Sequence, residues 1–375
     1  MIKIGIDASV LCQDMDGIKR YLLSLISGLM QEDRKNQYLL FVKEKQGICI
    51  DLAPNMSLVE LGASGDFYFE KIALLVAIKK YKIDIFYSPK NYGFPLFKLN
   101  CKFVLTIHDL IPKLFKVYWK GRKLKERFIY CLSLAHSLFL ADRIIVDSKN
   151  TLKDLNSCLK VPTRKIFVIY PGLKINNPEI TVKARDQIFK KFKIKDNYIL
   201  VIAGQSSHKN VGLVLKAFEL LLEKLDAPLL NLQLVVIGNF KQNGLEETYS
   251  KLKNQQSLVE TGVVSEEEID CLYRNAELLA YPSSYEGFGF PILEAMGRGV
   301  PVIASLAASI PEVAGDAALY FETGDHFDLC LKIISVLNNA QLKQKLIERG
   351  LIRSRIFSES SLAKGFLGVL SGVKN

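Results

Sequence analysis

At 375 residues the chain is long enough for two domains, each with its own core. A hydrophobic content of 49% and a charged content of 24% describe an ordinary soluble globular protein. The 7 cysteines (Cys12, Cys49, Cys101, Cys131, Cys158, Cys271, Cys330) are scattered without a C-x-x-C pair, which argues against a disulfide framework or a structural zinc site and for a reducing compartment.

The net charge of +11 calls for an anionic partner: nucleic acid, an anionic membrane surface or a phosphorylated ligand. No nucleic-acid-binding motif is present, so that partner is not expected. Met1 to Asp7 (MIKIGID) reads as a strand rather than a signal peptide, and no run of about 18 uncharged apolar residues follows. The expectation is a cytoplasmic protein without a membrane span.

In chain order, Ile2 to Ile6 reads as the first strand, Asp14-Met15-Asp16-Gly17 as a loop, and Ile18 to Leu29 as a helix from its apolar spacing. Tyr38 to Val42, Ile83 to Tyr87 and Phe103 to Ile107 read as strands, the last running directly into His108-Asp109. Ligands of open α/β sheets sit outside the carboxyl ends of strands, so a histidine there is a candidate. Between Lys113 and Arg127 lie seven basic residues (Lys113, Lys116, Lys120, Arg122, Lys123, Lys125, Arg127) against Glu126, interleaved with Phe115, Tyr118 and Trp119. That composition suits either an interfacial patch or a solvated helix face. Ala141 to Ser148 reads as a strand and turn with Ser148 as a helix cap, and Ile166 to Tyr170 as the last strand of this half.

Pro171-Gly172 breaks the alternation, and Leu173 to Thr181, with Asn176-Asn177-Pro178, carries no periodicity. The domains are therefore set at 1–173 and 174–357, with a C-terminal helix of about 358–375 free to pack back on the first. The second half restarts with a strand at Tyr198 to Ala203, a polar loop at Gly204 to Asn210 and a helix at Val211 to Leu225. Leu232 to Ile237 and Leu258 to Val264 read as strands around a helix at Leu245 to Leu252. Ser265 caps a helix at Glu266 to Asn275, with Glu268 at the capping-box position. A strand at Pro301 to Ala304, a loop around Ser309 to Glu312 and a long helical region from Phe327 complete the chain.

The densest signal is Tyr281 to Gly299, YPSSYEGFGFPILEAMGRG: an apolar run, a glycine-spaced polar turn, then a helix opened by Pro291. A helix start aims free N–H groups at the loop and suits a phosphate or pyrophosphate. Glu286 and Glu294 would repel phosphate and are better suited to accept hydrogen bonds from hydroxyls. A nucleotide-sugar, with phosphates between two hydroxyl-bearing ends, satisfies both.

These residues resemble the retaining, nucleotide-sugar-dependent glycosyltransferases of family four, including the bacterial group 1 glycosyltransferases and mannosyltransferases. The likeness covers nearly the whole chain and is strongest from Gly262 to Phe321. The family's E-x7-E element looks like Glu286 to Glu294, its downstream loop like Ser309 to Val313, its strand-ending HD pair like His108-Asp109, its hinge like Val168 to Gly172, and its K-N loop like Gly204 to Asn210. The chain departs from the pattern at Asp16 and Lys19 around Gly17, and at Gln205, where many members carry arginine.

The resemblance implies an α/β GT-B fold, two Rossmann-like doubly wound parallel-sheet domains facing across a cleft, acceptor side first and nucleotide-sugar side second. It implies catalytic roles for His108, Glu286 and Lys209: Glu286 at the donor sugar, Lys209 on the pyrophosphate, His108 orienting the reacting groups. Gly17, Gly204, Asn210, Val264, Gly287, Phe288, Gly289 and Glu294 complete the expected donor-binding set, Glu294 on the ribose hydroxyls, with Arg20 more distant. The expected reaction moves a hexose, mannose from GDP-mannose first and a UDP-sugar next, to a hydroxyl of a saccharide or lipid-linked acceptor in polysaccharide or glycolipid assembly. No metal and no cofactor beyond the donor are expected, and peripheral contact with an anionic membrane on its inner face is. Two other readings stay open: a nucleotide-sugar epimerase on the same fold, and a non-catalytic nucleotide-sugar-binding or membrane scaffold protein.

Overall fold

The computed structural model describes residues 1–13, 17–119, 122–174, 180–204, 206–224, 231–240 and 244–372. The Asp14-Met15-Asp16 loop, Lys120 of the basic run, the Asn176-Asn177-Pro178 stretch and Gln205 lie outside the described residues. The chain forms two compact units, one of Met1–Lys174 with Phe357–Asn375, the other of Ile175–Ile356.

In the first unit the elements run β1 (Lys3–Asp7), α1 (Gly17–Glu32), β2 (Gln37–Val42), β3 (Met56–Glu60), α2 (Asp66–Tyr68), α3 (Leu74–Tyr81), β4 (Ile85–Ser88), β5 (Lys102–Ile107), α4 (Ile111–Leu114), α5 (Leu124–Leu140), β6 (Arg143–Val146), α6 (Lys149–Leu159) and β7 (Ile166–Val168). The strands form a 7-stranded sheet of order β3-β2-β1-β4-β5-β6-β7. Every pairing is parallel. Inner strands such as Ile85–Ser88 are buried along their whole length, as a sheet covered on both faces requires. The edge strand β3 is buried only at Met56 and is otherwise half-buried or exposed, and the sequence, read for longer apolar runs, did not single it out.

In the second unit the elements are α7 (Val182–Phe192), β8 (Tyr198–Ile202), α8 (Val211–Lys224), β9 (Gln233–Ile237), α9 (Glu246–Asn254), β10 (Leu258–Gly262), α10 (Glu266–Arg274), β11 (Leu278–Tyr281), α11 (Phe290–Gly297), β12 (Val302–Ser305), α12 (Ile310–Ala314), β13 (Ala318–Phe321), α13 (His326–Leu337) and α14 (Ala340–Ser354). Its 6-stranded parallel sheet has the order β10-β9-β8-β11-β12-β13. The capping box at α10 is formed, Glu268 N–H donating to Ser265 Oγ and Ser265 N–H to Glu268 Oε2. The stretch Ser309 to Glu312, expected as loop, instead enters α12. Pro311 stands in its first turn, and the Arg353 guanidinium donates to the Val313 and Glu312 carbonyls at its end. Such caps make a helix this short tenable.

The chain then returns to the first unit as α15 (Glu359–Ser371), which packs on α1. Ser27 Oγ donates to Glu359 Oε2 at 2.7 Å, and the Phe366 ring meets Tyr87 edge-on at 4.7 Å. The two helices approach at Gly28, where an added Cβ would stand 2.2 Å from the Glu359 carbonyl oxygen. A Cβ on the exposed Gly368 of α15 would meet nothing within 4 Å. Gly28→Ala is therefore expected to cost about 1–3 kcal/mol by forcing backbone apart, while Gly368→Ala stabilises by up to about 1 kcal/mol through helix propensity. Thermal or urea unfolding of the two variants checks this opposition of signs.

Candidate active site

Strand order reverses in the second unit between β8 and β11, the topological switch point at which α/β sheets bind ligands. The two loops leaving those strands carry the densest sequence signals. The β8 loop holds Gly204, His208, Lys209 and Asn210, and the β11 loop runs from Pro282 to Gly289 into α11. They are joined by hydrogen bonds: Ser284 N–H donates to the His208 carbonyl at 2.8 Å and its hydroxyl to the same oxygen at 3.3 Å, and Lys209 Nζ donates to Glu286 Oε1 at 2.8 Å. Lys209 also stands 5.5 Å above the ring centroid of buried Tyr281 and 3.4 Å from its hydroxyl.

Local conformation explains several residue choices. Ser207–Lys209 is a single 3-10 turn closed by Asn210 at φ 48, a left-handed conformation that asparagine tolerates better than most residues. Gly289 caps α11 at φ 118, and Pro291 follows in the first turn, so the backbone N–H groups there point out of the helix start. The β11 loop is held from below by Ser309, whose hydroxyl lies 2.9 Å from the Glu286 carbonyl and 2.8 Å from that of Phe288, and by Ser305, which donates to the Ser283 carbonyl.

Glu286 is 8% exposed, and burial alone would raise its pKa. The charge and hydrogen bond of Lys209 outweigh that, and the carboxyl is held below its ordinary value, ionised at neutral pH. The His208 pKa is lowered too, here by burial against the opposing pull of Glu286, so the ring is neutral at pH 7. Glu294, on the buried side of α11, accepts from the Tyr273 hydroxyl at 2.9 Å. Phe288 is buried with its ring 5.3 Å from that of Phe290, and Val264 follows the end of β10 half-buried. The second unit thus places a cation, two carboxylates and a helix start around the switch point.

In the first unit His108 follows the end of β5 with its side chain 12% exposed. Both ring nitrogens are engaged, Nδ1 with Asp147 Oδ2 and Nε2 with the Pro89 carbonyl, each at 2.6 Å. A carbonyl only accepts, and a carboxylate facing the other nitrogen favours a donor there too, so the ring carries both protons. Burial opposes that charge, but Asp147, with help from the Pro89 carbonyl, raises the pKa to about 9. His108 at neutral pH is a positioned cation and not a base. Gly17 opens α1 on the surface, where an added Cβ would meet none of the described residues within 4 Å. Arg20, one turn on, is half-buried.

Sequence reasoning missed Asp147, Tyr273, Tyr281 and Ser309 as supporting residues. Asp147 carried a usable signal, standing at the end of a strand directly before the Ser148 cap. The others become legible only when strands distant in sequence are paired.

Residues 184–353 match the family described as Glycosyl transferases group 1, and residues 15–177 match Glycosyltransferase Family 4. The serotype-specific mannosyltransferase WbdA of Escherichia coli is 28% identical over 203 residues, 52% of this chain but only 24% of that protein, so the match spans about a quarter of that relative's length. The O-antigen chain mannosyltransferase B of Escherichia coli is 28% identical over 288 residues, 75% of this chain and 72% of that one. Among solved structures, the sucrose-phosphate synthase of Thermosynechococcus elongatus superposes with a TM-score of 0.74 at 16% identity, covering 100% of this chain and 99% of that chain. That likeness speaks for the fold, GT-B with two Rossmann-like parallel-sheet units.

Because the pKa of His108 is raised by folding from its ordinary 6.5 to about 9, the stability it confers is complete below pH 6.5 and is lost as pH rises through 9. Asp147→Asn should remove that dependence. Melting temperatures of the two proteins are expected to differ most near pH 6 and to converge above pH 9. A gap that stays constant over that range contradicts the assignment of charge to His108.

Proposed function

Since the chain belongs to the group 1 glycosyltransferases of the family 4 type, we propose that it moves a hexose from a nucleoside-diphosphate sugar to a hydroxyl of a saccharide or lipid-linked acceptor, with retention of anomeric configuration. The observation that carries this reading is the Lys209–Glu286 ion pair beside the start of α11. The pyrophosphate lies against the backbone N–H groups around Gly289, with Lys209 as its cation. Glu286, kept ionised, accepts from hydroxyls of the sugar, and Glu294 from those of the ribose. Gly204, Asn210, Val264, Gly287 and Phe288 line the donor. Lys209 and the helix start supply the positive field for the departing diphosphate, so the reaction requires no metal in this reading. The diphosphate takes the acceptor's proton, and His108 contributes as a fixed cation.

Mannose from GDP-mannose is the first donor to test, because both Escherichia coli relatives are named as mannosyltransferases, and a UDP-sugar is the next. One of those names refers to an O-antigen chain, which supports a place in polysaccharide or glycolipid assembly, with the first unit on the acceptor side and the protein in peripheral contact with an anionic membrane.

The test is release of nucleoside diphosphate from a panel of GDP-, UDP- and ADP-sugars in EDTA, with and without membrane extract as acceptor. Turnover of one donor is expected, falling on the order of 100-fold in Glu286→Ala as a charge-directed contact is removed. If no donor is turned over while one binds equally to both proteins, the transfer reading fails.

A further inference from the structure

We propose that the exposed face of α5 docks the protein on an anionic lipid bilayer, in the plane of the headgroups. The proposal rests on the lipid-side acceptor named above, and goes beyond it by naming the surface. Helix α5 buries Tyr130, Leu134, Ser137 and Leu140 against the sheet of the first unit. At 100° per residue, Leu124, Phe128, Leu132 and Phe139 fall on the opposite side. They are 80%, 63%, 54% and 82% exposed. Single exposed apolar residues need no explanation, but a row of four along about 22 Å of helix does. The row continues on the adjoining loop: His136 Nε2 lies 3.1 Å from the Leu96 carbonyl, and Phe97 beside it is 67% exposed.

Charge decides the occupant. Arg122, Lys123, Lys125 and Arg127 are exposed around the start of this helix, against Glu126. Cations at a helix N-terminus oppose its dipole, so they do not serve the helix itself. Beside an apolar stripe they match an interface of acyl chains and anionic headgroups. A second copy of the chain would bring the same cations together. Among the described residues no helix is long and apolar enough to cross a membrane, so α5 lies on the bilayer.

Flotation with phosphatidylcholine vesicles, and with vesicles of phosphatidylcholine and phosphatidylglycerol at about 3:1, tests this. The protein should float with the anionic vesicles and release from them as salt is raised. Phe128→Ser/Phe139→Ser and Lys123→Glu/Lys125→Glu should each weaken vesicle binding about tenfold or more, with unchanged melting temperature and unchanged diphosphate release in the absence of vesicles. The proposal is overturned if neither vesicle is bound, if both are bound equally, if both variants float like the wild type, or if light scattering shows a dimer that Phe128→Ser/Phe139→Ser dissociates. Loss of donor turnover with flotation and its sensitivity to these variants intact would sink the transfer reading and leave this surface standing.

Discussion

A buried carboxylate stays ionised only where a cation or several hydrogen-bond donors hold its charge, and the second unit provides a cation for Glu286. Glu286 and Lys209 come from loops 77 positions apart in sequence, brought together because β8 and β11 are neighbours in the sheet. The pair fixes both loops, with the Ser284–His208 backbone bond and the Ser309 hydroxyl as further braces. Pairing sets the charge state of Glu286, and the turn at Gly289 sets where the first N–H groups of α11 point. Removing one partner would leave the other buried and uncompensated, so this is a linkage in which stability and chemistry cannot be separated.

The first unit follows the same rule at the carboxyl ends of its own strands. Asp7 at the end of β1 meets Lys90 at 2.9 Å, and Lys90 meets Glu70 at 2.7 Å. His108 after β5 meets Asp147 after β6. Asp7, Lys90, His108 and Asp147 all follow or close the carboxyl ends of strands, and each has a partner of opposite sign. The same contacts make His108, which the sequence suggested as orienting the reacting groups, a cation whose two protons are both committed.

Much of this was legible in the sequence because the strands of parallel sheets are buried on both faces and read as unbroken apolar runs. The order of strands and helices around Asp7, His108, Lys209 and Glu286 followed from those runs and from the punctuating glycines and prolines. The edge strand at Met56–Glu60 and helix α7 escaped because their apolar content is mixed, and the strand at Ala318–Phe321 because it is only 4 residues long. The α12 helix was read as loop because Arg353, which caps it, lies 40 residues beyond Val313. What sequence could not supply was pairing: that Lys209 lies on Glu286, that Tyr273 donates to Glu294, and that the Asp147 carboxylate keeps His108 protonated. The basic run left two meanings open, and the exposure of Leu124, Phe128, Leu132 and Phe139 is what the proposed bilayer docking of α5 rests on.

Calorimetric titration of GDP and UDP into the wild type, Lys209→Met and Glu286→Gln probes the ion pair most directly. If the switch point of the second unit is a diphosphate site, Lys209→Met weakens binding about 10- to 100-fold, the scale of a lost charge-assisted hydrogen bond. Glu286→Gln leaves binding equal or tighter, because the lysine no longer has a carboxylate to leave. Equal binding by the wild type and Lys209→Met would contradict the account.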